Sequence, residues 1–141
     1  MAEDPDSYPM GLDSFSYAYV KLLGKKYPYF FKRDCYNYSI CGISVFCYNK
    51  GQVESIQSFS GQDVYRYKKY IFAENFAGGG CGDATMFKIQ NGKIKKVKGG
   101  SKTFMLSEQE QVHKASMKFG KKVAKKLGVK FSKFKKVKWR Q

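Results

Sequence analysis

Apolar and polar positions along the chain follow two periods, and the clearest is helical. Within residues 108–127, Val112, Ser116, Phe119, Val123 and Leu127 form one stripe while Lys114, Lys118, Lys121, Lys122 and Lys125 fall on other faces, so the spacing predicts an amphipathic helix ended by Gly128. Its acidic start and basic end suit the helix dipole. Residues 38–48 are rich in β-branched and aromatic side chains and apolar on both faces, as in a central strand. After the tight turn Asn49-Lys50-Gly51, a partner strand returns through Val53, Ser55, Gln57 and Phe59. Residues 84–90 and 93–98 flank Asn91-Gly92, a strong hairpin signal; Ile94 and Val97 differ in parity, which implies a bulge or a strand exposed on both faces. Gly99-Gly100 then turns the chain into a last strand, 102–107.

Two further stretches read as helices. Asp13 is placed to cap the first, in which Phe15, Ala18, Tyr19, Leu22 and Leu23 recur at helical spacing until Gly24. Val64, Tyr67, Lys68, Ile71 and Phe72 give a second, shorter helix across residues 62–75, ended by Ala77-Gly78-Gly79-Gly80. Residues 27–37 show no clear period and read as a connection. Residues 1–12 form a flexible acidic leader, and 129–141 a basic aromatic tail. The order helix, hairpin, helix, hairpin, strand, helix predicts an α+β domain over 13–128: a single antiparallel β-sheet with N- and C-terminal helices packed on it.

Composition supports one globular unit, since 43% of the 141 residues are hydrophobic and 27% charged. The longest apolar runs, such as 40–47, fall short of the roughly 18 residues a membrane helix needs, and no basic-then-apolar leader opens the chain, so a soluble cytoplasmic protein is expected. Cysteines at 35, 41, 47 and 81 form no C-x-x-C pair, which argues against zinc. Cys41 and Cys47 share a strand face but lie too far apart to bridge each other, and reduced, partly buried thiols are the expectation.

Charge changes the picture most. Residues 1–87 hold 9 Lys or Arg against 9 Asp or Glu, and residues 88–141 hold 18 against 2, so the whole +16 lies in the last third. That third implies an acidic partner: nucleic acid, an anionic membrane surface or an acidic protein. The tail interleaves Phe131, Phe134 and Trp139 with lysines, so Lys125, Lys126, Lys133, Lys135, Lys136, Lys138 and Arg140 are candidate contacts to phospholipid or nucleic-acid phosphates. The alternative is a tail folded back on its own domain with its lysines in water. No RNP-type aromatic motif is present.

Catalytic chemistry is not indicated. His113 is the single histidine and has no nucleophile or carboxylate at relay spacing, and Glu108 and Glu110 point to different faces. Gly78-Gly79-Gly80-Cys81-Gly82-Asp83 lacks the Gly-Lys-Ser/Thr of a phosphate loop, and Cys81 has no basic neighbour in the segment. Neither enzyme activity nor a cofactor or metal is expected.

Over residues 13–128 the order of elements resembles the profilin family of actin-monomer-binding proteins, as a deeply diverged, archaeal-type member would. Tyr19-Val20 looks like the aromatic-Val pair of the profilin first helix, and residues 40–59 like its hairpin. Residues 77–89, 93–98, Lys102-Thr103-Phe104-Met105-Leu106 and 112–127 fill in order the places of a glycine turn and strand, a basic hairpin, a Lys-Thr-apolar strand and a C-terminal helix. The resemblance implies an actin-facing surface of Lys69, Thr85, Met86, Lys88, Lys98, His113 and Lys118, and regulation of actin polymerisation at the cytoskeleton. It also implies binding of anionic phosphoinositides. The family's two Trp anchors for polyproline are replaced near Ser16 and Glu54, leaving Tyr17, Tyr19 and Trp139 as the aromatics that could rebuild such a groove. The alternative function is nucleic-acid binding, as in a ribonucleoprotein subunit, through the C-terminal lysine-rich helix and tail.

Overall fold

The computed structural model describes residues 12–141 except 25, 37–39, 79 and 91, so the 1–12 leader lies outside the described residues up to Leu12. Four strands, β1 (Leu12–Val20), β2 (Tyr29–Tyr36), β3 (Ile40–Asn49) and β4 (Gln52–Ser60), form an antiparallel meander. A second meander follows in β5 (Asp63–Tyr67), β6 (Tyr70–Gly78), β7 (Cys81–Gln90) and β8 (Lys93–Met105). Helix α1 (Gln109–Lys126) and a single 3-10 turn (Phe131–Lys133) lead to β9 (Lys135–Lys136), which pairs with β5.

Two sheets and one helix make three layers. Ala18, Val20, Phe31, Ile43 and Val45 of the first sheet pack on Val64, Ile71, Ala73, Phe87 and Ile89 of the second. The opposite face of the second sheet, with Phe72, Phe76, Ala84, Met86 and Phe104, is covered by α1 through Val112, Val123 and Ala124. Gly120 lets the helix sit close, because a Cβ there would lie 2.7 Å from the Phe131 ring and 2.9 Å from Phe72. The chain passes between sheets at Gly61-Gln62: the Gly61 N–H donates to Cys41 O of the first sheet and the Gln62 N–H to Glu74 O of the second.

The expected single sheet with flanking helices is therefore corrected to a mostly β protein, with two antiparallel sheets and one α-helix among the described residues. The predicted N-terminal helix is β1, because a second pattern, Ser16, Ala18, Val20 and Leu22, has period two and supplies the buried face. The predicted helix over 62–75 is the hairpin β5–β6, whose turn places Lys68 at φ 53, a left-handed position without the usual Gly or Asn. The connection 27–37 contains β2, in which the β-forming Tyr29, Phe30, Phe31 and Tyr36 bracket the charged run Lys32-Arg33-Asp34 that hid the strand. Residues 93–98 and 102–107 are not two strands but most of β8, with Gly99-Gly100 absorbed in an irregularity opposite Met86 instead of a turn. The helix ended by Gly128 and the strands expected at 53–59 and 84–90 lie where the periodicity put them, as does the strand expected at 38–48 from Ile40 onward, residues 38 and 39 lying outside the described residues.

Two links reinforce these sheets, a disulfide not expected from the sequence and the folded-back tail given there as the alternative. Cys35 and Cys41 face each other across β2 and β3 and form a disulfide, in place of two reduced thiols; Cys47 and Cys81 remain free. The tail folds back: the Val137 N–H donates to Val64 O, and Tyr17 and Arg140 exchange both backbone hydrogen bonds at 2.8 Å. It thereby joins the β5 edge of one sheet to the β1 edge of the other. Phe134 and Val137 are buried, and Trp139 packs at the margin of the inter-sheet core.

Arg33 lies on the inward side of β2. Its Nε donates to Ser16 Oγ at 3.1 Å, its Nη1 donates to Gln62 O at 2.6 Å, and the guanidinium stacks 4.6 Å from the Trp139 ring. Burial lowers its pKa from the ordinary arginine value, with Asp63 acting in the opposite sense. Arg33→Ala is expected to lower stability by about 2–4 kcal/mol in urea unfolding, through lost charged hydrogen bonds and lost packing. It should also speed proteolysis within residues 137–141 of the folded protein; unchanged stability and tail protection would show that Arg33 is not the tie.

Candidate functional site

Alternation in the first sheet sends one residue set inward and the other to solvent. The outward set is unusual for an open sheet face: Phe15, Tyr17 and Tyr19 on β1, Phe30 and Lys32 on β2, Phe46 and Tyr48 on β3. Backbone register places Tyr19 opposite Phe30 and Phe30 opposite Phe46, so three rings cross three strands in one row. Ring centroids are 5.4 Å apart for Tyr19–Phe30 and 6.0 Å for Phe30–Phe46, and Tyr17 stacks on Phe30 at 5.9 Å. Tyr19 is 64% exposed. Beyond the row lie the paired hydroxyls of Ser44 and Ser58, 3.3 Å apart, and Lys32, which reaches Asp34 at 3.6 Å and the Phe15 ring at 5.1 Å.

Where the tail crosses from β5 to β1 it forms one wall of a groove of about 560 Å³. Arg66, Lys135, Lys136, Lys138 and Arg140 line it together with Val20, Val137 and the same Tyr19. Lys136 has a carboxylate partner, Asp63 at 3.6 Å, and Arg66 donates weakly to Lys21 O at 3.4 Å. A second basic groove, about 840 Å³, runs between α1 and β8 with Lys102, Lys118, Lys121, Lys122, Lys125 and Lys126 over Phe104, Met105 and Leu106. At the β7–β8 hairpin, Lys88 pairs directly opposite Lys95, and with Lys93 they line a hollow of about 320 Å³.

The structure divides the sequence-predicted residues among these places. Of the actin-facing set, Thr85 and Met86 are both buried, while Lys69 and Lys88 lie near the β5–β6 turn, Lys98 on exposed β8, and His113 and Lys118 on α1. Thr85 and Met86, being buried, offer little surface to a partner. Of the aromatics proposed for polyproline, Tyr17 and Tyr19 meet on the outer sheet face, but Trp139 lies against Arg33 and the inter-sheet core. Lys135, Lys136, Lys138 and Arg140 gather in the tail groove, Lys125 and Lys126 in the helix groove, and Lys133 is exposed on the 3-10 turn. The row Tyr19, Phe30, Phe46 went unrecognised in the sequence. Its signal was the period-two aromatic series Phe15, Tyr17, Tyr19, overshadowed by an equally good helical spacing.

His113 has a structural partner the sequence did not show. Its Nδ1 lies 2.9 Å from Glu74 Oε2, and Glu74, fully buried on β6, accepts a second hydrogen bond from the Tyr65 hydroxyl at 3.0 Å. Burial and the Glu74 carboxylate both push the Tyr65 pKa up, keeping it a donor. This network fastens α1 to the second sheet. No cluster of candidate metal ligands occurs among the described residues, and no described helix is long and apolar enough to cross a membrane.

Comparison with family models, curated proteins and solved structures finds no match to the chain.

Because the His113 imidazole is hydrogen-bonded to the buried Glu74, its removal is felt through Glu74. His113→Ala should cost about 1–3 kcal/mol in urea unfolding, less than a fully buried pair because the imidazole is half exposed. The same substitution in a Glu74→Gln background should cost clearly less, a coupling that a double-mutant cycle reads directly. Equal costs in both backgrounds would assign His113 no role in holding that charge.

Proposed function

We propose that the protein binds nucleic acid, with the tail groove as the main contact to the phosphate backbone. The observation that carries this reading is the convergence of Arg66, Lys135, Lys136, Lys138 and Arg140 on one concave surface, with Asp63 beside Lys136 as the neighbouring carboxylate partner. A solvated lysine surface kept for solubility would disperse such charges, since crowding them opposes folding. The facing pair Lys88 and Lys95 adds a second place where like charges stand opposite each other, an arrangement that disfavours the sheet unless an anion lies across it. Chemical catalysis plays no part in this reading: the surface binds a polyanion by releasing its counterions and by shape.

Five phosphate contacts on a single strand predict a slope of log K against log salt near about −3.5, or a loss of about a hundredfold in affinity between about 50 and 200 mM salt. Combining Lys135→Gln, Lys138→Gln and Arg140→Gln should flatten that slope by about 2 while the backbone bridge of residue 140 persists. Fluorescence anisotropy of a labelled oligonucleotide measures both. Vesicles of anionic lipid serve as the competing probe: binding to vesicles with none to oligonucleotide at low salt would overturn the reading.

A further inference from the structure

We propose that the aromatic row Tyr19, Phe30 and Phe46 is a base-stacking platform, which makes the ligand a single strand and not a duplex. This rests on the tail groove being a phosphate site. Three observations support it together. The rings are partly exposed and spaced at 5.4 and 6.0 Å in one line across β1, β2 and β3, tilted by 55° and 46° to one another with Tyr17 stacked on Phe30, so successive unpaired bases would meet them ring by ring, Tyr19 first. The line begins at Tyr19, which also lines the groove of Arg66, Lys138 and Arg140, so a backbone lying on those cations delivers its bases to the row. The spacing between groove and row is fixed, because both backbone hydrogen bonds between Tyr17 and Arg140 pin the tail to the strand that carries Tyr19.

Charge selects this occupant over other ligands with flat apolar surfaces. The groove cations flank the row on one side, whereas Lys32 on β2 is paired with Asp34 at 3.6 Å and adds little net charge. A duplex has the same phosphates but its base faces are covered by their own stack, so it reaches the groove without gaining the rings. Aromatic stacking is tolerant of base identity, and modest sequence preference follows.

The test compares the full chain with Tyr19→Ala and Tyr19→Trp, using labelled single-stranded RNA and DNA, the duplex of the same sequence, and an abasic strand of equal charge. Tyr19 is largely exposed, so these variants leave the core intact. Tyr19→Ala should weaken single-strand binding about tenfold, weaken duplex binding much less because Tyr19 borders the groove without carrying charge, leave the salt slope unchanged, and erase the preference for the based over the abasic strand; Tyr19→Trp should retain that preference. RNA and DNA binding alike would fit stacking alone, and a preference for RNA would add a contact to the 2′-hydroxyl. If wild type binds strand, duplex and abasic strand equally with the predicted salt slope, the platform is overturned while the groove reading stands. If it binds none of them at low salt, the groove reading falls first. If sedimentation shows a dimer that Tyr19→Ala dissociates with no change in oligonucleotide affinity, the row is a contact between copies and the proposal is overturned.

Discussion

A charged guanidinium placed between two sheets holds this fold in its particular arrangement. Arg33 reaches three separated parts of the chain: Ser16 on β1, the Gln62 carbonyl at the corner where the chain changes sheets, and Trp139 near the C-terminus. An arginine at that position is unfavourable unless its donors are used, because an unpaired buried charge is strongly penalised. Satisfying it ties β2 to the Gln62 corner between β4 and β5 and to Trp139 in the tail. Leucine in its place could pack but could not choose among these partners. The charge thus contributes specificity of arrangement more than gross stability, which comes from the apolar layers on both faces of the second sheet.

From that arrangement the outer surface of the first sheet follows. Once Ser16, Ala18 and Val20 are turned inward toward Arg33 and the core, Phe15, Tyr17 and Tyr19 can only face solvent. The disulfide between Cys35 and Cys41 holds β2 and β3 in the register that aligns Phe30 with Phe46. A shift by one residue in either strand would send those rings inside. The same covalent and polar ties that select the fold therefore set the row of rings on its surface.

Legibility in the sequence tracked whether local pattern had a competitor. Residues 109–126 offered one period, with Val112, Ser116, Val123 and Ala124 on a single face, and that helix could be read directly. The Asn91-Gly92 hairpin and the pair β3–β4 carried turn chemistry that few other structures use. Residues 12–20 satisfied both a helical and an alternating pattern, and only packing against a second sheet decides between them. Lys68 hid the β5–β6 turn because lysine rarely adopts positive φ, so a hairpin there had no local signature. The site was half legible for the same reason: clustered tail lysines are visible as charge, whereas Tyr19, Phe30 and Phe46 become neighbours only after β1 and β2 are known to be strands. Cys35 sat in a segment with no assigned structure, so its pairing with Cys41 had no basis either.

Docking of the tail sets two forces against each other, and their sizes explain why it closes the fold. Bringing Lys135, Lys136, Lys138 and Arg140 up to Arg66 crowds cations that are mostly exposed, where each close pair is repelled by about 1 kcal/mol in water at contact distance and less in salt. Burying Phe134 and Val137 returns about 1.5–3 kcal/mol each, before the backbone bonds to Val64 and Tyr17 are counted. The docked tail leaves a surface whose repulsion is relieved by any polyanion that fits it. Occupying the groove then strengthens the joint between the two sheets, since a ligand that binds only the docked tail favours the docked state. Under the proposed reading, closure of the sandwich and affinity for an anionic chain are two consequences of the same segment.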